Sequence, residues 1–260
     1  MLVWLDDIRL YAVLDGPDTA PPVVFLHALG TDLTLWDAVL PHLPPLRTLR
    51  FDLRGHGRSD APPAPYTMGA LIRDAERLMD HFALRDAVVV GISAGGMVAQ
   101  GLAVKRLDLV RGLVLSATAT RIATPEIWAD RIAYVRENGL GAIADPTMAQ
   151  TFGPRWRAAP AMPRIRALLE ATDPEGWMGV AAAVAGSDFY ATTATLTLRT
   201  LVMAGTEDAA TPPDMAREMA DLIRGSDFHL IRRASHLPPT DQPEAFAARL
   251  TTFLKRIGHV

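Results

Sequence analysis

The chain has 260 residues, of which 49% are hydrophobic and 21% charged, a composition typical of a globular protein with a large core. Its 26 basic and 29 acidic side chains give a net charge of −3 without a basic cluster, which argues against nucleic acid as a partner. The chain has no cysteine, so disulfides, zinc–thiolate sites and a cysteine nucleophile are excluded. Covalent chemistry must therefore use oxygen or nitrogen.

The N-terminus predicts no targeting segment, because Asp6 and Asp7 interrupt its apolar residues before a signal-peptide apolar region can form. The uncharged stretch Ala87–Val104 approaches the length of a membrane span. Its first part is β-branched and its second part is rich in Ala and Gly, which favours a buried strand followed by a buried helix. We therefore expect a cytoplasmic protein that does not enter a membrane.

Short apolar runs predict the strands. Val3–Leu5 and Ile8–Ala12 suit a hairpin at the edge of a sheet. The later runs are nearly continuous, which is typical of strands buried on both faces of a parallel sheet. They are Val23–Leu26, Leu46–Asp52, Ala87–Gly91, Leu113–Ser116, Thr200–Ala204 and Phe228–Ile231. Helices are predicted between and after them, at Leu33–Leu40, Met68–Phe82, Ala94–Lys105, Pro212–Ile223 and Pro243–Ile257. This alternation predicts an α/β fold with a mostly parallel central sheet.

The alternation stops in residues 121–195, where no good strand pattern occurs and prolines punctuate helical stretches such as Glu126–Asn138 and Pro163–Ala171. The large apolar side chains of this segment include Trp128, Trp156, Trp177, Met178 and Phe189. We predict a helical cap in residues 121–195, inserted into a core of residues 1–120 and 196–260. The alternative is one continuous domain with an added helical layer.

A serine nucleophile is predicted at Ser93. Gly91-Ile92-Ser93-Ala94-Gly95 matches the pattern G-x-S-x-G, and it lies between a predicted strand and a predicted helix. In such a nucleophile elbow the serine occupies a strained turn that exposes its hydroxyl, and glycines let the neighbouring backbone pass. The helix N-terminus favours developing negative charge. The alternative is a glycine-rich turn that only allows close helix packing.

A serine hydroxyl needs a base, and the base needs an orienting acid. Asp208 directly follows the strand Thr200–Ala204, and His236 lies just beyond Phe228–Ile231. We predict Asp208 as the acid, with Glu207 and Asp214 as competitors, and His236 as the base. Of the other histidines, His42, His81 and His259 are predicted to be surface residues and His229 lies inside a strand. No histidine pair has the spacing of a metal site.

Two backbone N–H groups should stabilise the oxyanion of an acyl-transfer intermediate. Ala94 follows the nucleophile, and Leu29 lies in the loop after Val23–Leu26, so these two are the predicted donors. His27 is predicted to hold this loop rather than to act in catalysis. The segment Arg54–Asp60 is predicted to form a tight structural turn.

The chain resembles the α/β-hydrolases over its whole length, and within them it is similar to the 3-oxoadipate enol-lactonases. The segments that carry this resemblance are Leu29–Leu33, Trp36-Asp37, Arg54–Asp60, Pro125–Trp128, Ala171–Gly176, Ala204–Asp208 and Gln242–Phe246. The resemblance implies the same nucleophile, acid and base, namely Ser93, Asp208 and His236.

The resemblance also implies a substrate with a free carboxylate, which a chain of net charge −3 cannot attract globally. Arg131 follows Trp128 by three residues, so both are expected on one face of a cap helix, where they are the predicted substrate-binding residues. Arg121 is a second candidate, and a solvated cap arginine is the alternative.

Together these features predict a serine hydrolase that opens a small carboxylated lactone, with 3-oxoadipate enol-lactone of aromatic degradation as the specific candidate. The alternatives are a general small-molecule carboxylesterase, a cofactor-free perhydrolase and, outside enzymes, a ligand-binding receptor on a hydrolase fold. Neither a cofactor nor a metal is implied. The sequence does not indicate an oligomeric state.

Overall fold

The computed structural model describes the side chains of residues 1–154 and 157–260. Trp156, which we predicted among the apolar cap residues, lies outside this range. The strands are β1 (Leu2–Trp4), β2 (Arg9–Asp15), β3 (Pro22–Leu26), β4 (Arg47–Phe51), β5 (Ala87–Ile92), β6 (Val110–Ser116), β7 (Arg199–Gly205) and β8 (Asp227–Ile231). The α-helices are α1 (Met68–His81), α2 (Ala94–Lys105), α3 (Pro125–Asn138), α4 (Ala144–Phe152), α5 (Met162–Ala171), α6 (Pro174–Ala185), α7 (Tyr190–Thr193), α8 (Pro213–Leu222), α9 (Pro238–Asp241) and α10 (Pro243–Arg256).

The described strands form one sheet in the order β1-β2-β4-β3-β5-β6-β7-β8. The β1–β2 and β2–β4 pairs are antiparallel, and all later pairs are parallel. This confirms the mostly parallel sheet with an N-terminal hairpin at its edge. Every residue of β5, at the centre of the sheet, is buried, which explains why its sequence does not alternate.

The uncharged stretch of residues 87–104 forms β5 and most of α2, and α2 is buried around its whole circumference from Ala94 to Ala103. In contrast, α1 is amphipathic, and Thr67 caps its N-terminus with a side-chain oxygen that accepts a hydrogen bond from the Ala70 N–H. In the described part of the chain no helix is both long and apolar enough to cross a membrane.

Two local predictions are wrong. Residues 33–40 do not form one helix but two 3-10 segments, Leu33–Trp36 and Leu40–His42. The N–H groups of Leu35, Asp37 and Val39 donate three residues back rather than four, and Pro41 has no N–H with which to continue an α-helix. His259 is not a surface residue, since it is 9% exposed and its Nε2 lies 2.9 Å from the Pro22 carbonyl oxygen.

Helices and no strand occur in the described residues between β6 and β7, where the sequence shows no good strand pattern. The division into a core (1–120 and 196–260) and a cap (121–195) stays a prediction. Helix α6 meets the turn after β4 at backbone distance: a Cβ added to Gly55 would lie 2.2 Å from the Cα of Gly176. Next to this contact, the Tyr66 N–H donates to the Gly179 carbonyl at 3.3 Å.

Candidate active site

Ser93 occupies the sharp turn between β5 and α2. Its φ of 54° and ψ of −121° place it in a conformation that costs a non-glycine residue about 1–3 kcal/mol. The neighbouring strand β6 holds this turn, because the Ser93 N–H donates to the Ser116 carbonyl at 3.0 Å. The Thr118 hydroxyl donates to the Ser93 carbonyl at 2.8 Å. Hydrogen bonds to both the N–H and the carbonyl of Ser93 therefore fix its backbone.

The two glycines of the motif allow the backbone to pass close to the turn. A Cβ on Gly91 would lie 2.4 Å from the carbonyl oxygen of Gly95, and a Cβ on Gly95 would lie 2.4 Å from the carbonyl oxygen of Leu26. Both distances are too short for any side chain, so the motif is a steric requirement of the strand-to-helix turn.

Ser93, His236 and Asp208 form a hydrogen-bonded chain. The His236 Nε2 lies 3.1 Å from the Ser93 Oγ. Its Nδ1 lies 3.0 Å from Oδ2 and 3.1 Å from Oδ1 of Asp208. Each side chain follows a different strand, namely β5, β7 or β8. The structure thus brings together the three residues that the sequence predicted, at distances suited to proton transfer.

Asp208 is buried, yet it stays ionised because it accepts several hydrogen bonds. Burial raises the pKa of this carboxyl. His236 and the hydrogen-bond donors of Thr211 together lower it by more than burial raises it, so the net pKa is below its ordinary value. Asp208 accepts from the Thr211 N–H at 2.9 Å, from the Thr211 hydroxyl at 2.9 Å and from the Ala210 N–H at 2.8 Å. An ionised Asp208 can orient the His236 ring and stabilise its protonated form.

The competing carboxylates lie elsewhere. Glu207 lines a separate cavity with Arg233 and Asp241. Asp214 is exposed in the first turn of α8. Asp208 alone of these three predicted candidates lies within hydrogen-bond distance of His236.

Ser93 opens into a cavity of about 100 Å³, which is also lined by the two residues predicted to carry the oxyanion donors. Leu29 and Ala94 line it together with Ser93 and His236. Within the described part of the chain, neither of these two N–H groups donates to another protein atom. We call this side of the cavity, formed by Leu29, Ser93, Ala94, Ala210 and His236, the strand-end wall.

The rest of the cavity is lined by residues that lie between β6 and β7. This helical wall includes Trp128 and Arg131 of α3, Gln150 and Thr151 of α4, and Trp177 and Val184 of α6. The two walls are joined next to the proposed base, because the backbone N–H of His236 donates a hydrogen bond to the backbone carbonyl of Thr151 at 2.9 Å.

Among the described residues that line this cavity, Arg131 is the arginine. Its guanidinium carbon lies 5.3 Å from the centre of the Trp128 ring, as the three-residue spacing predicted, and one of its nitrogens donates to Gln150 Oε1 at 2.9 Å. Burial lowers the pKa of Arg131, although an arginine remains charged. No carboxylate of the described residues lies within ion-pair distance of it. The second candidate, Arg121, is exposed and lines a different depression with Asp188 and Glu218.

Four polar residues of the site were missed at the sequence level, namely Thr147, Gln150 and Thr151 of the cavity lining and Thr211 beside Asp208. Thr211 follows Asp208 by three residues, a spacing that lets its N–H and hydroxyl reach the carboxylate, so a local signal existed. Gln150 and Thr151 carried no such signal, because their position depends on how α4 packs over the core.

Comparison with known proteins agrees with this architecture. The profile of the family described as alpha/beta hydrolase fold matches residues 21–243, from β3 to the start of α10. The chain belongs to the α/β-hydrolase family. It is therefore a hydrolase by family. The three hydrogen-bonded residues follow one another along the chain as Ser93, Asp208 and His236, which is the order typical of that family.

Among its relatives is 3-oxoadipate enol-lactonase 2 of Acinetobacter baylyi, which is 28% identical over 255 residues, covering 97% of this chain and 95% of the relative. The enol-lactonase from Burkholderia xenovorans LB400 is similar in structure, with a TM-score of 0.94 and 32% identity over 98% of this chain and 100% of that chain. A thermophilic esterase from Thermogutta terrifontis, solved with malate bound, has a TM-score of 0.90 and 33% identity over 97% of this chain and 95% of that chain.

Proposed function

We propose that this hydrolase uses Ser93, His236 and Asp208 as a catalytic triad to open a small carboxylated lactone, with 3-oxoadipate enol-lactone as its specific substrate. The observation that carries the proposal is Arg131, a partly desolvated cation that faces the same cavity as Ser93 and has no carboxylate partner in the described residues. The similarity to two enol-lactonases supports this substrate.

The ring opens in an acylation step. His236 Nε2 takes the proton of the Ser93 hydroxyl while Oγ attacks the lactone carbonyl carbon. The resulting oxyanion accepts hydrogen bonds from the N–H groups of Leu29 and Ala94. When the intermediate collapses, the bond between the acyl carbon and the ring oxygen breaks. The ring oxygen takes the proton from His236 and leaves as an enol, which tautomerises to the ketone.

Water then releases the acyl group from Ser93. His236 removes a proton from the water, whose oxygen attacks the acyl carbon, and the same two N–H groups hold the second oxyanion. Collapse of this intermediate returns the proton to Ser93 Oγ and yields a carboxylic acid. Asp208 remains ionised throughout and stabilises the protonated His236 ring.

Arg131 would bind the second carboxylate of the substrate, the one that does not react. A charge-assisted hydrogen bond of this kind contributes about 1.5–3 kcal/mol, and the Trp128 ring beside it supplies an apolar surface for the carbon chain. The cavity is small, which favours a compact substrate. Malate, bound in the related esterase, is itself a small dicarboxylate.

The test compares two substrates, the carboxylated enol-lactone and a neutral ester of similar size. We expect the wild-type protein to prefer the lactone, and Arg131→Ala to lower kcat/KM for the lactone about ten- to hundredfold while changing the neutral ester less than threefold. The matched control is Arg136→Ala, which removes an exposed arginine from the same helix. Equal losses on both substrates would make Arg131 a structural residue.

A general carboxylesterase is the second candidate, favoured by the similarity to the Thermogutta terrifontis esterase. In that case the wild-type protein would prefer the neutral ester. Such a preference would overturn the lactonase assignment and leave the proposed triad intact.

A further inference from the structure

Two buried histidines outside the proposed triad connect the loops that follow β3 and β4. His27, in the first loop, accepts a hydrogen bond at Nε2 from the Leu53 N–H of the second loop, at 2.9 Å. His56, in the second loop, accepts at Nε2 from the Gly30 N–H of the first loop, at 3.0 Å. The two bonds run in opposite directions between the same two loops. We call this pair of residues and bonds the histidine clasp.

The clasp requires one protonation state of each ring. A backbone N–H can only donate, so Nε2 is the unprotonated nitrogen in both rings and Nδ1 carries the hydrogen. The His27 Nδ1 lies 2.8 Å from the Ala28 carbonyl, and the His56 Nδ1 lies 3.3 Å from the Arg54 carbonyl. Burial lowers the pKa of His27 and lowers that of His56 to about 3, so both rings are neutral near pH 7.

The clasp acts next to the proposed oxyanion donor, because Gly30 directly follows Leu29. Gly30 has a φ of +73°, and a Cβ there would lie 2.8 Å from Leu169 Cδ1 of α5. The turn that contains Leu29 is closed by the Thr31 N–H, which donates to the Ala28 carbonyl at 3.2 Å. Gly30 is thus confined by helix α5 on one side, and the Gly30 N–H donates a hydrogen bond to His56.

We propose that His27 and His56 are positioning residues for catalysis, which fix the direction of the Leu29 N–H so that it points to the oxyanion. This inference rests on the oxyanion role given to Leu29 in the proposed function. Neither ring lines the cavity, so neither touches the substrate. Their effect should appear in the transition state, where the oxyanion develops, and not in substrate binding.

The test uses two variants of nearly equal shape, His56→Gln and His56→Met. The glutamine Oε1 can accept from the Gly30 N–H in place of Nε2, whereas the methionine side chain offers only a weak acceptor. With p-nitrophenyl acetate as substrate, we expect His56→Met to lower kcat about ten- to hundredfold with KM within threefold, and His56→Gln to recover at least half of that loss on a logarithmic scale. Rates are expressed per site labelled by a fluorophosphonate, so that only folded protein counts.

The matched control is His259→Met. His259 is also buried and also bonds to the backbone of β3, but at Pro22, the end of the strand away from the site. We expect normal kcat per labelled site in this variant, even if it melts at a lower temperature. A parallel pair, His27→Gln and His27→Met, gives the same comparison for the other half of the clasp should His56→Met yield no folded protein.

Equal kcat values in the glutamine and methionine variants would overturn the clasp proposal, as would a change confined to KM. Failure of the proposed function looks different. In that case Ser93→Ala would still be labelled by the fluorophosphonate, or would still hydrolyse p-nitrophenyl acetate at the wild-type rate. Because p-nitrophenyl acetate carries no carboxylate, the clasp test does not depend on which lactone or ester is the natural substrate.

Discussion

The two walls of the cavity are built in different ways. On the strand-end wall, Ser93 directly follows the buried strand β5 and His236 lies a few residues beyond the partly exposed edge strand β8, and backbone hydrogen bonds fix both. On the helical wall, side chains from three helices converge, and among the described residues Gln150 and the Trp128 ring hold Arg131. The first wall supplies groups suited to bond making and breaking. The second supplies surface and charge suited to choosing a substrate.

The two walls therefore differ in how well they tolerate substitutions. Strand ends in a parallel sheet have fixed spacing, so reactive groups placed there keep their relative positions. Helices inserted between two strands can change their side chains without moving those ends. We therefore expect substitutions on the strand-end wall to affect all substrates alike, and substitutions on the helical wall to affect substrates selectively.

The largest expected effect is at Ser93. Ser93→Ala should lower kcat about 10⁶-fold for the carboxylated lactone and for a neutral ester alike, because the nucleophile is lost whatever the acyl group. The measurement is kcat on both substrates, with circular dichroism to verify folding and a fluorophosphonate to verify loss of labelling. A loss on one substrate only would break the distinction between the two walls.

Asp208 should come next. Asp208→Asn should lower kcat about 10⁴-fold on both substrates, because a neutral amide neither orients His236 as the ionised carboxylate does nor stabilises the ring when it is protonated. Glu207→Gln and Asp214→Asn serve as controls and should change kcat less than threefold. A larger loss in either control than in Asp208→Asn would reassign the acid.

The strand-end wall could be predicted from the sequence more fully than the helical wall. The three residues of the proposed triad could be placed from sequence because G-x-S-x-G and the polar residues after β7 and β8 mark strand ends in a recognisable order. Arg131 and Trp128 could be paired because helical spacing sets which side chains are neighbours. The choice between Arg121 and Arg131, and the presence of Gln150, required the packing of the helices over the core, which no local pattern encodes.

The fold shows the same limit. Buried strands of the parallel sheet were located within a few residues, since burial on both faces demands continuous apolar runs. Residues 33–40 were misassigned because their apolar spacing suits an α-helical face, whereas their N–H groups donate three residues back and Pro41 cannot donate at all. His259 was misplaced because a residue near the C-terminus gives no sign of the backbone carbonyl that it contacts.

The smallest expected effect concerns the free energy of unfolding at acid pH. The two walls also differ in the histidines that lie near them. The residues between β6 and β7 contain no histidine, whereas His27 and His56 are buried beneath the strand-end wall. The pKa of His56 falls from 6.5 to about 3 on folding, so between these values the unfolded chain binds a proton that the folded chain does not. Stability is therefore unaffected by His56 above about pH 6.5 and falls as the pH drops below it.

The expected slope is about 1.4 kcal/mol per pH unit from His56, with a further contribution of the same sign from His27. Urea unfolding of the wild-type protein at pH 7, 6, 5 and 4 measures it. His56→Gln should flatten the dependence by about one proton, whereas His42→Gln, at an exposed histidine, should leave it unchanged. An unchanged slope in His56→Gln would show that the ring is protonated within the folded protein.

The backbone contact between Gly55 and Gly176 bears on how this protein could be engineered. Neither position has room for a side chain, since a Cβ on Gly176 would lie 2.0 Å from the carbonyl oxygen of Gly55. The backbone of helix α6 therefore packs directly against the backbone of the turn after β4, with no side chain between them. A library that aims at bulkier acyl groups should therefore leave Gly176 unchanged and randomise α3 and α4, where Trp128 and Gln150 border the cavity and no comparable glycine pair is involved in the described residues.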